Sequence, residues 1–211
     1  MAKQKIPAMP SIRRLPSYLY IVQQAHQINQ EYISGTVIAQ ELKLEPIQVR
    51  KDLAITGIVG RPKKGYPTTE LMNAINRFLG WDTIQPAILV GAGNLGTALA
   101  GYEEFRLHGI NIFAAFDAEK KKVGTSIHRI PVYPLSAIDK QVKKSGAKIA
   151  ILTVPSEHAQ EAANLIIEAG ITAIWNFTNH KLNVPDHVVV QKEDLSSGFA
   201  ILSVMMRNRD Q

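Results

Sequence analysis

The stretch AILVGAGNLG, residues 87–96, decides how this chain is read. Ala87 to Val90 is a short apolar run of the kind that forms a buried strand. Gly91-Ala92-Gly93-Asn94-Leu95-Gly96 follows directly as G-x-G-x-x-G and opens a helix from about Leu95. In that setting the first glycine permits a tight turn, the second lets backbone approach a pyrophosphate, and the third lets helix pack on strand. The helix N-terminus adds N–H groups and partial positive charge for the phosphates. An acidic residue is then expected about 20 residues on. Asp117 closes the next apolar run, Ile110 to Phe116, and stands 21 residues after Gly96. Its carboxylate is suited to accept from a ribose 2′-hydroxyl and to repel a 2′-phosphate, which argues for NAD over NADP. Lys120, Lys121 and Lys122 stand close by and weaken that exclusion.

The pattern continues towards the C-terminus. Lys148 to Pro155 (KIAILTVP) reads as a strand, Ser156 to Ala169 as a helix, and Ile171 to Thr178 (ITAIWNFT) and His187 to Val190 as further strands. Strands alternating with helices predict an α/β fold, a Rossmann-type parallel sheet covered on both faces. In such a sheet ligands bind beyond the carboxyl ends of the strands. Thr153-Val154-Pro155 and Asn176-Phe177-Thr178 occupy two such ends and can offer backbone and small polar groups to a nicotinamide half; ordinary strand-to-helix loops fit the same periodicity. After the last strand only about twenty residues remain, too few for a separate substrate domain. Leu195 to Met206 forms a final helix that is apolar around most of its circumference. It should be buried on nearly all sides, and insertion into a partner subunit would achieve that.

The first 80 residues differ in charge. They carry 11 basic and 5 acidic side chains, so the whole net charge of +6 lies there. A basic excess confined to one segment suits a polyanion. Leu15, Tyr18, Leu19, Val22 and Ala25 keep helical spacing, with Pro16 suited to a first turn. Ser34 can cap a helix carrying Val37, Ile38 and Leu42 inward, and Glu45-Pro46 opens another in which Ile47, Val49 and Leu53 are apolar. Ala39, Lys43 and Val49 take the spacing of a helix-turn-helix, with Lys43 where the turn glycine is usual. The second helix would then expose Gln48, Arg50 and Lys51 to a DNA major groove. Gly57 to Tyr66 is punctuated by glycine and proline and reads as a basic hairpin, a wing bringing Arg61, Lys63 and Lys64 to phosphates. A helical domain with a solvated basic face is the alternative. Thr68 or Thr69 caps the last helix of the segment. The expected divisions are a winged helix-turn-helix domain at 1–80, a linker at 81–85, a Rossmann NAD(H)-binding domain at 86–192 and the final helix at 193–211.

Exclusions narrow the function. There is no cysteine, which removes disulfides, thiolate metal sites and cysteine nucleophiles and suits a reducing cytoplasm. No two of the six histidines lie three or four apart, and no metal site is expected. No apolar run reaches membrane-spanning length, and the N-terminus lacks a secretory signal. No hydrolase or P-loop motif appears and no catalytic residue is assigned. A small NAD-dependent oxidoreductase, or a module binding another adenine ligand such as coenzyme A, stays open on the residues alone.

The motifs IRRLPSYL, QVRKDL, GIVG…GY, VGAGNLGTAL, AILTVP and NFTNHKLNVP together resemble the Rex family of bacterial redox-sensing transcriptional repressors nearly end to end. The resemblance implies a homodimer of winged-helix and Rossmann domains with a swapped last helix. It implies NADH and NAD as effector ligands, with NADH releasing the protein from an inverted-repeat operator. Carried over residue by residue, Gly91, Gly93, Asn94, Leu95, Gly96 and Asp117 match one half of the cofactor site. Thr153, Val154, Pro155, Asn176 and Phe177 match the other. Arg50 and Lys51 match the recognition helix. Arg14, Tyr102 and Asp194 match a switch network in which Arg14 pairs with Asp194 beside the Tyr102 hydroxyl. The sequence departs from the family pattern at Ala54, Thr56, Lys63 and Pro67 around the DNA-reading elements, and at Asn179 after the Asn176 strand.

Overall fold

The computed structural model describes residues 8–208 and divides into two units, 1–83 and 84–211. In the first unit, α1 (Met9–Gln27) buries Leu15, Tyr18, Leu19 and Val22 along one stripe. The helix begins earlier than the sequence reading placed it, so Pro16 lies inside it and Pro10 takes the first turn. Pro16 has no N–H to give the Ile12 carbonyl, and the helix carries through that missing bond. After β1 (Tyr32–Ile33) comes α2 (Gly35–Glu41), capped by the Ser34 hydroxyl, which accepts from the Val37 N–H at 3.2 Å. Then follow α3 (Pro46–Ala54), β2 (Tyr66–Pro67) and α4 (Thr68–Leu79). Ile38, Ala39, Val49, Leu53, Leu71 and Ile75 close the core on the α1 stripe.

Two details of this unit differ from expectation. Thr68 does not cap α4; it starts the helix, and its hydroxyl donates to the Gln30 carbonyl at 2.7 Å, tying α4 to the turn between α1 and β1. Val37, expected inward, is exposed, while Ile38 beside it is fully buried.

The second unit is a seven-stranded sheet. Its elements in chain order are β3 (Gln85–Val90), α5 (Asn94–Ala100), α6 (Glu104–Leu107), β4 (Ile110–Asp117), β5 (Ser126–Ile127), β6 (Ile130–Pro134) and α7 (Ile138–Ser145). β7 (Ile149–Leu152), α8 (Ala159–Glu168), β8 (Ala173–Asn176), β9 (Val189–Lys192) and α9 (Leu195–Arg207) complete it. The strand order is β5-β6-β4-β3-β7-β8-β9, and every pair is parallel except β5–β6. Leaving aside the antiparallel edge strand, this is the doubly wound order of a Rossmann sheet. Alternation places Ile88 and Val90 on one face, under α7 and α8, and Ala87 and Leu89 on the other, near Phe105 of α6. The sequence reading passed over β5, β6 and α7, because the hairpin is short and α7 has few apolar residues. Among the described residues, no helix is long and apolar enough to cross a membrane.

The final helix corrects an expectation for the single chain. Phe199 is 71% exposed and Met205 62%, with Ile201, Leu202, Val204 and Met206 similarly open. The apolar residues do surround α9, but the chain itself does not bury them.

Lys43 sits at φ +54° in the turn between α2 and α3. That is the left-handed region, where a side chain crowds the backbone and glycine does not. Lys43→Gly should therefore stabilise the protein by roughly 1 kcal/mol, the left-handed penalty less glycine's own entropy. A higher midpoint in urea unfolding of the full-length chain is the expected result.

Candidate nucleotide cleft and nucleic-acid face

The sheet's switch point falls between β3 and β7, and the chain turns there at Gly91 and at Thr153. The Thr153 N–H donates to the Val90 carbonyl at 2.9 Å and its hydroxyl to the Gly91 carbonyl at 2.8 Å. Gly91 has φ +102°, and a Cβ there would stand 2.8 Å from the Thr153 carbonyl carbon. A Cβ on Gly96 would run into the Gly91 carbonyl oxygen. Both glycines are thus demanded by the chain's own packing. Gly93 is different: its φ is −79°, and a Cβ there would meet nothing within 4 Å. The turn backbone at Gly93 is therefore left open towards the cleft, where a pyrophosphate could lie against it.

A cleft of about 760 Å³ opens over this turn, a usual size for a small-molecule site. Gly91, Gly93, Thr153, Val154 and Pro155 form its floor and Asp117, Glu119 and Lys122 its rim, with His158 and Glu161 from the segment after Pro155. Ala92 contributes its N–H to Asp117, and Asn94 and Leu95 lie in the first turn of α5, whose amides have no intrahelical partners. Asp117 caps the arrangement: one carboxylate oxygen accepts from the Ala92 N–H at 2.8 Å and the other from the Glu119 N–H at 2.8 Å. The second strand end behaves otherwise. The Asn176 side chain donates to the His180 carbonyl and accepts from the Thr178 N–H, while the Thr178 hydroxyl accepts from the His180 N–H. Asn176 and Thr178 are buried loop-builders, Phe177 packs on Trp175 with centroids 5.1 Å apart, and none of the three lines the cleft.

In the first unit, Ala39 and Val49 are fully buried and Lys43 makes the turn, so helix-turn-helix spacing and geometry agree. The outward face of α3 consists of Ile47, Arg50, Lys51 and Ala54, which follow i, i+3, i+4, i+7. One correction to the sequence reading and one addition follow. Ile47, apolar in the sequence reading, is 57% exposed and shares the outward face with the cations. Gln48, taken as a groove reader, turns inward and donates to Asp52 at 2.9 Å. Asp52 is the residue that composition could not single out. It is 1% exposed, and Arg14 reaches it with two nitrogens at 2.6 and 3.0 Å while the Tyr18 hydroxyl donates at 2.7 Å. Burial alone would push this carboxyl up; the bonds from Arg14, Tyr18, Ser11 and Gln48 overcome burial and hold it at about 2. Tyr18 moves the other way, pushed up to about 12 by burial and by the adjacent carboxylate.

The wing closes where Arg61 and Gly65 exchange backbone hydrogen bonds. Arg61 donates to the Tyr32 hydroxyl at 2.6 Å, and both Arg61 and Lys64 lie over the Tyr32 ring, 5.4 and 5.2 Å from its centre. Tyr32 thereby gathers the wing's cations. Lys63, at φ +62°, fills the tip in the left-handed conformation that glycine would favour.

Arg14, Tyr102 and Asp194 each have a different partner within their own units. Arg14 pairs with Asp52, the Tyr102 hydroxyl donates to Glu104 at 2.6 Å, and Asp194 caps α9 by accepting from the Ser196 N–H at 2.9 Å.

Comparison with known proteins ties these two units together. A family model described as a CoA binding domain matches residues 82–180, and one described as a putative DNA-binding protein N-terminus matches residues 5–54. The redox-sensing transcriptional repressor Rex of Treponema denticola is 62% identical over 209 residues, covering 99% of this chain and 100% of that protein. The chain belongs to the Rex family of redox-sensing transcriptional repressors. The Rex of Bacteroides thetaiotaomicron is 36% identical over 94% of this chain and 90% of its own. Among solved structures, the Rex-family repressor RSP in complex with β-NAD+ and operator DNA aligns with a TM-score of 0.90 at 31% identity, covering 98% of this chain and 95% of RSP. RSP in complex with β-NADH aligns with a TM-score of 0.88 at 31% identity, covering 98% and 97%.

Because Asp52 is held below the ordinary carboxyl value of 3.8, its contribution to stability is complete above that value and is lost as pH falls through about 2. Asp52→Asn should cost about 2 kcal/mol near neutral pH and flatten the acid limb of stability between about pH 4 and 2. Urea unfolding across that range, parent against variant, reads both effects.

Proposed function

We propose that this chain is a homodimeric repressor that binds an inverted-repeat operator through α3 and the wing and lets go when NADH enters the cleft over Gly93. The observation that carries the reading is Gly93 itself. A glycine that the chain's own packing does not need, set between two that it does, belongs to a nucleotide-binding turn. In a Rex-family chain that turn shares the molecule with an outward cationic helix face. RSP has been crystallised with β-NADH and, separately, with β-NAD+ and operator DNA, so both ligands suit this architecture. Arg50 and Lys51 read or clamp the duplex, Arg61, Lys63 and Lys64 meet backbone phosphates, and Asp117 takes the adenosine ribose. A protein acting on operators in a bacterium works in the cytoplasm.

Two unsatisfied surfaces support the dimer. α9 exposes six large apolar residues, and the sheet face around Phe105, Trp175 and Phe177 is only partly covered. A swapped α9 would cover such a face in the partner, and its start at Asp194, two residues after β9, connects it to the cofactor unit. Arg14, Tyr102 and Asp194 would exchange their present partners for one another as the dimer changes shape. NADH releases DNA only if it binds the DNA-incompetent shape more tightly.

A fluorescent inverted-repeat duplex titrated with protein, with NADH and NAD added separately, tests the whole reading. NADH should weaken the complex far more than NAD. Arg50→Ala and Lys51→Ala should lower duplex affinity while NADH binding survives. Lys64→Ala should weaken all duplexes alike and reduce the salt slope by about one unit. Tyr102→Phe and Asp194→Ala should leave the dimer intact and change the NADH effect by about 1–3 kcal/mol, the range of coupling between such sites. Variants that respond to NADH as the parent does would remove Tyr102 and Asp194 from the switch.

A further inference from the structure

The outward face of α3 holds one side chain that neither the core nor the basic charge explains. Leu42, Leu44, Val49, Leu53, Ile55 and Ile58 all join or pack against the core of the first unit. Ile47 lies in the middle of that stretch and stays outside the core, more than half exposed. A β-branched residue on an open helix face gives up side-chain freedom and gains no burial in return. Alanine would suit the helix better at that position. Within the first unit, then, nothing favours an isoleucine at residue 47.

Its setting narrows what could. Ile47 is the second residue of α3, in the first turn, and Arg50 and Lys51 stand one turn further along the same face. Ala54 completes that face, and no acidic side chain shares it. In a helix-turn-helix the first residues of the second helix are those that meet base edges in the major groove. The base pairs present one apolar group there, the C5-methyl of thymine. Arginine and lysine heads at the next turn seek guanine edges or phosphates instead. An exposed isoleucine can cover the methyl, and its stiff χ1 leaves little side-chain freedom to lose on docking. One large apolar side chain beside two cations fits a polyanion with a methyl in its groove better than it fits an apolar protein surface.

We propose that Ile47 is a specificity-determining residue of the recognition helix, which lays its side chain on a thymine methyl in each half of the operator. Each half-site then carries a thymine beside the bases or phosphates that Arg50 and Lys51 engage. The inference rests on the reading of α3 as the helix that enters the groove.

The test starts from the inverted-repeat duplex that the full-length protein selects from a random-sequence pool. Its thymines are replaced by deoxyuridine one symmetric pair at a time, which removes the methyl groups and keeps base pairing. Dissociation constants are measured for the parent, Ile47→Ala and Val59→Ala. For the parent, one symmetric pair should weaken binding by about tenfold, roughly fourfold for each of its two methyls. In Ile47→Ala the thymine duplex itself should bind about tenfold more weakly, and the loss at that pair should shrink to about twofold or less. Val59→Ala removes an exposed apolar side chain of the wing and should keep the parent's full sensitivity to the pair. Ile47→Ala should unfold in urea at the parent's midpoint or above it, which separates a loss of contact from a loss of fold. The proposal is overturned if no thymine pair is sensitive in the parent, or if the sensitive pair loses as much affinity in Ile47→Ala as in the parent. A parent that enriches no sequence and binds no duplex sinks the DNA reading itself. A parent that binds its duplex with no dependence on Ile47 sinks only the inference.

Discussion

A carboxylate as enclosed as Asp52 can stay ionised only because donors converge on it from two helices. Arg14 and Tyr18 arrive from α1, and Gln48 from one turn earlier on α3 itself. The same bonds that keep the charge in place fix the rotation of α3 about its axis. With Asp52 and Val49 pinned inward, Ile47, Arg50, Lys51 and Ala54 have only the outward face left. The direction in which this unit presents its cations is thus decided by a buried anion, and the basic face exists as a face because of it. An apolar residue at position 52 would leave the Arg14 guanidinium without its partner, and leaving one member of such a pair is the costly outcome.

The second unit is organised by a steric constraint instead of a charge. Strands β3 and β7, α5 and the Thr153 backbone approach so closely that Gly91 and Gly96 cannot carry a Cβ. That closeness draws the Thr153 hydroxyl onto the Gly91 carbonyl and leaves the turn's amides facing the cleft. Asp117 then ties the end of β4 to the turn through Ala92, joining the rim of the cleft to its floor. A ligand entering here meets a surface already formed, with little ordering left to accomplish.

Much of this was legible in the sequence, and the gaps have physical causes. The sheet strands announce themselves because central parallel strands are apolar on both faces, and Ile88, Leu89 and Val90 need no partner information to be read. The antiparallel pair β5 and β6 and the short α7 were invisible for the opposite reason: their stability comes from docking at an edge, not from their own pattern. Gly91 and Gly96 could be assigned by motif, whereas the emptiness around Gly93 needed coordinates. Gln48 faces Asp52 instead of the groove, which residue type alone does not reveal. The i, i+3, i+4, i+7 set shared by Ile47, Arg50, Lys51 and Ala54 was the signal to use. Asp52 gave no sign of its role, since a buried charge looks the same in sequence as a solvated one. Its partners Arg14 and Tyr18 are 38 and 34 residues away.

Lys43 and Lys63 show how the two demands on the DNA-reading unit meet. Both hold left-handed turns that glycine would make at lower cost, and in the proposed DNA complex both would add positive charge on the DNA-reading unit. Backbone strain at such positions is tolerated when the surrounding structure fixes the turn, as Ala39 and Val49 do around Lys43 and the Arg61–Gly65 bridge does around Lys63. The helix α9 poses the converse problem. Thirteen residues make a marginal helix in water, and the apolar side chains from Phe199 to Met206 find no cover in their own chain. Stability there has to be borrowed from another surface. In the proposed dimer that surface lies beside the partner's sheet, so the segment least able to stand alone becomes the one through which each cofactor cleft can act on the other subunit.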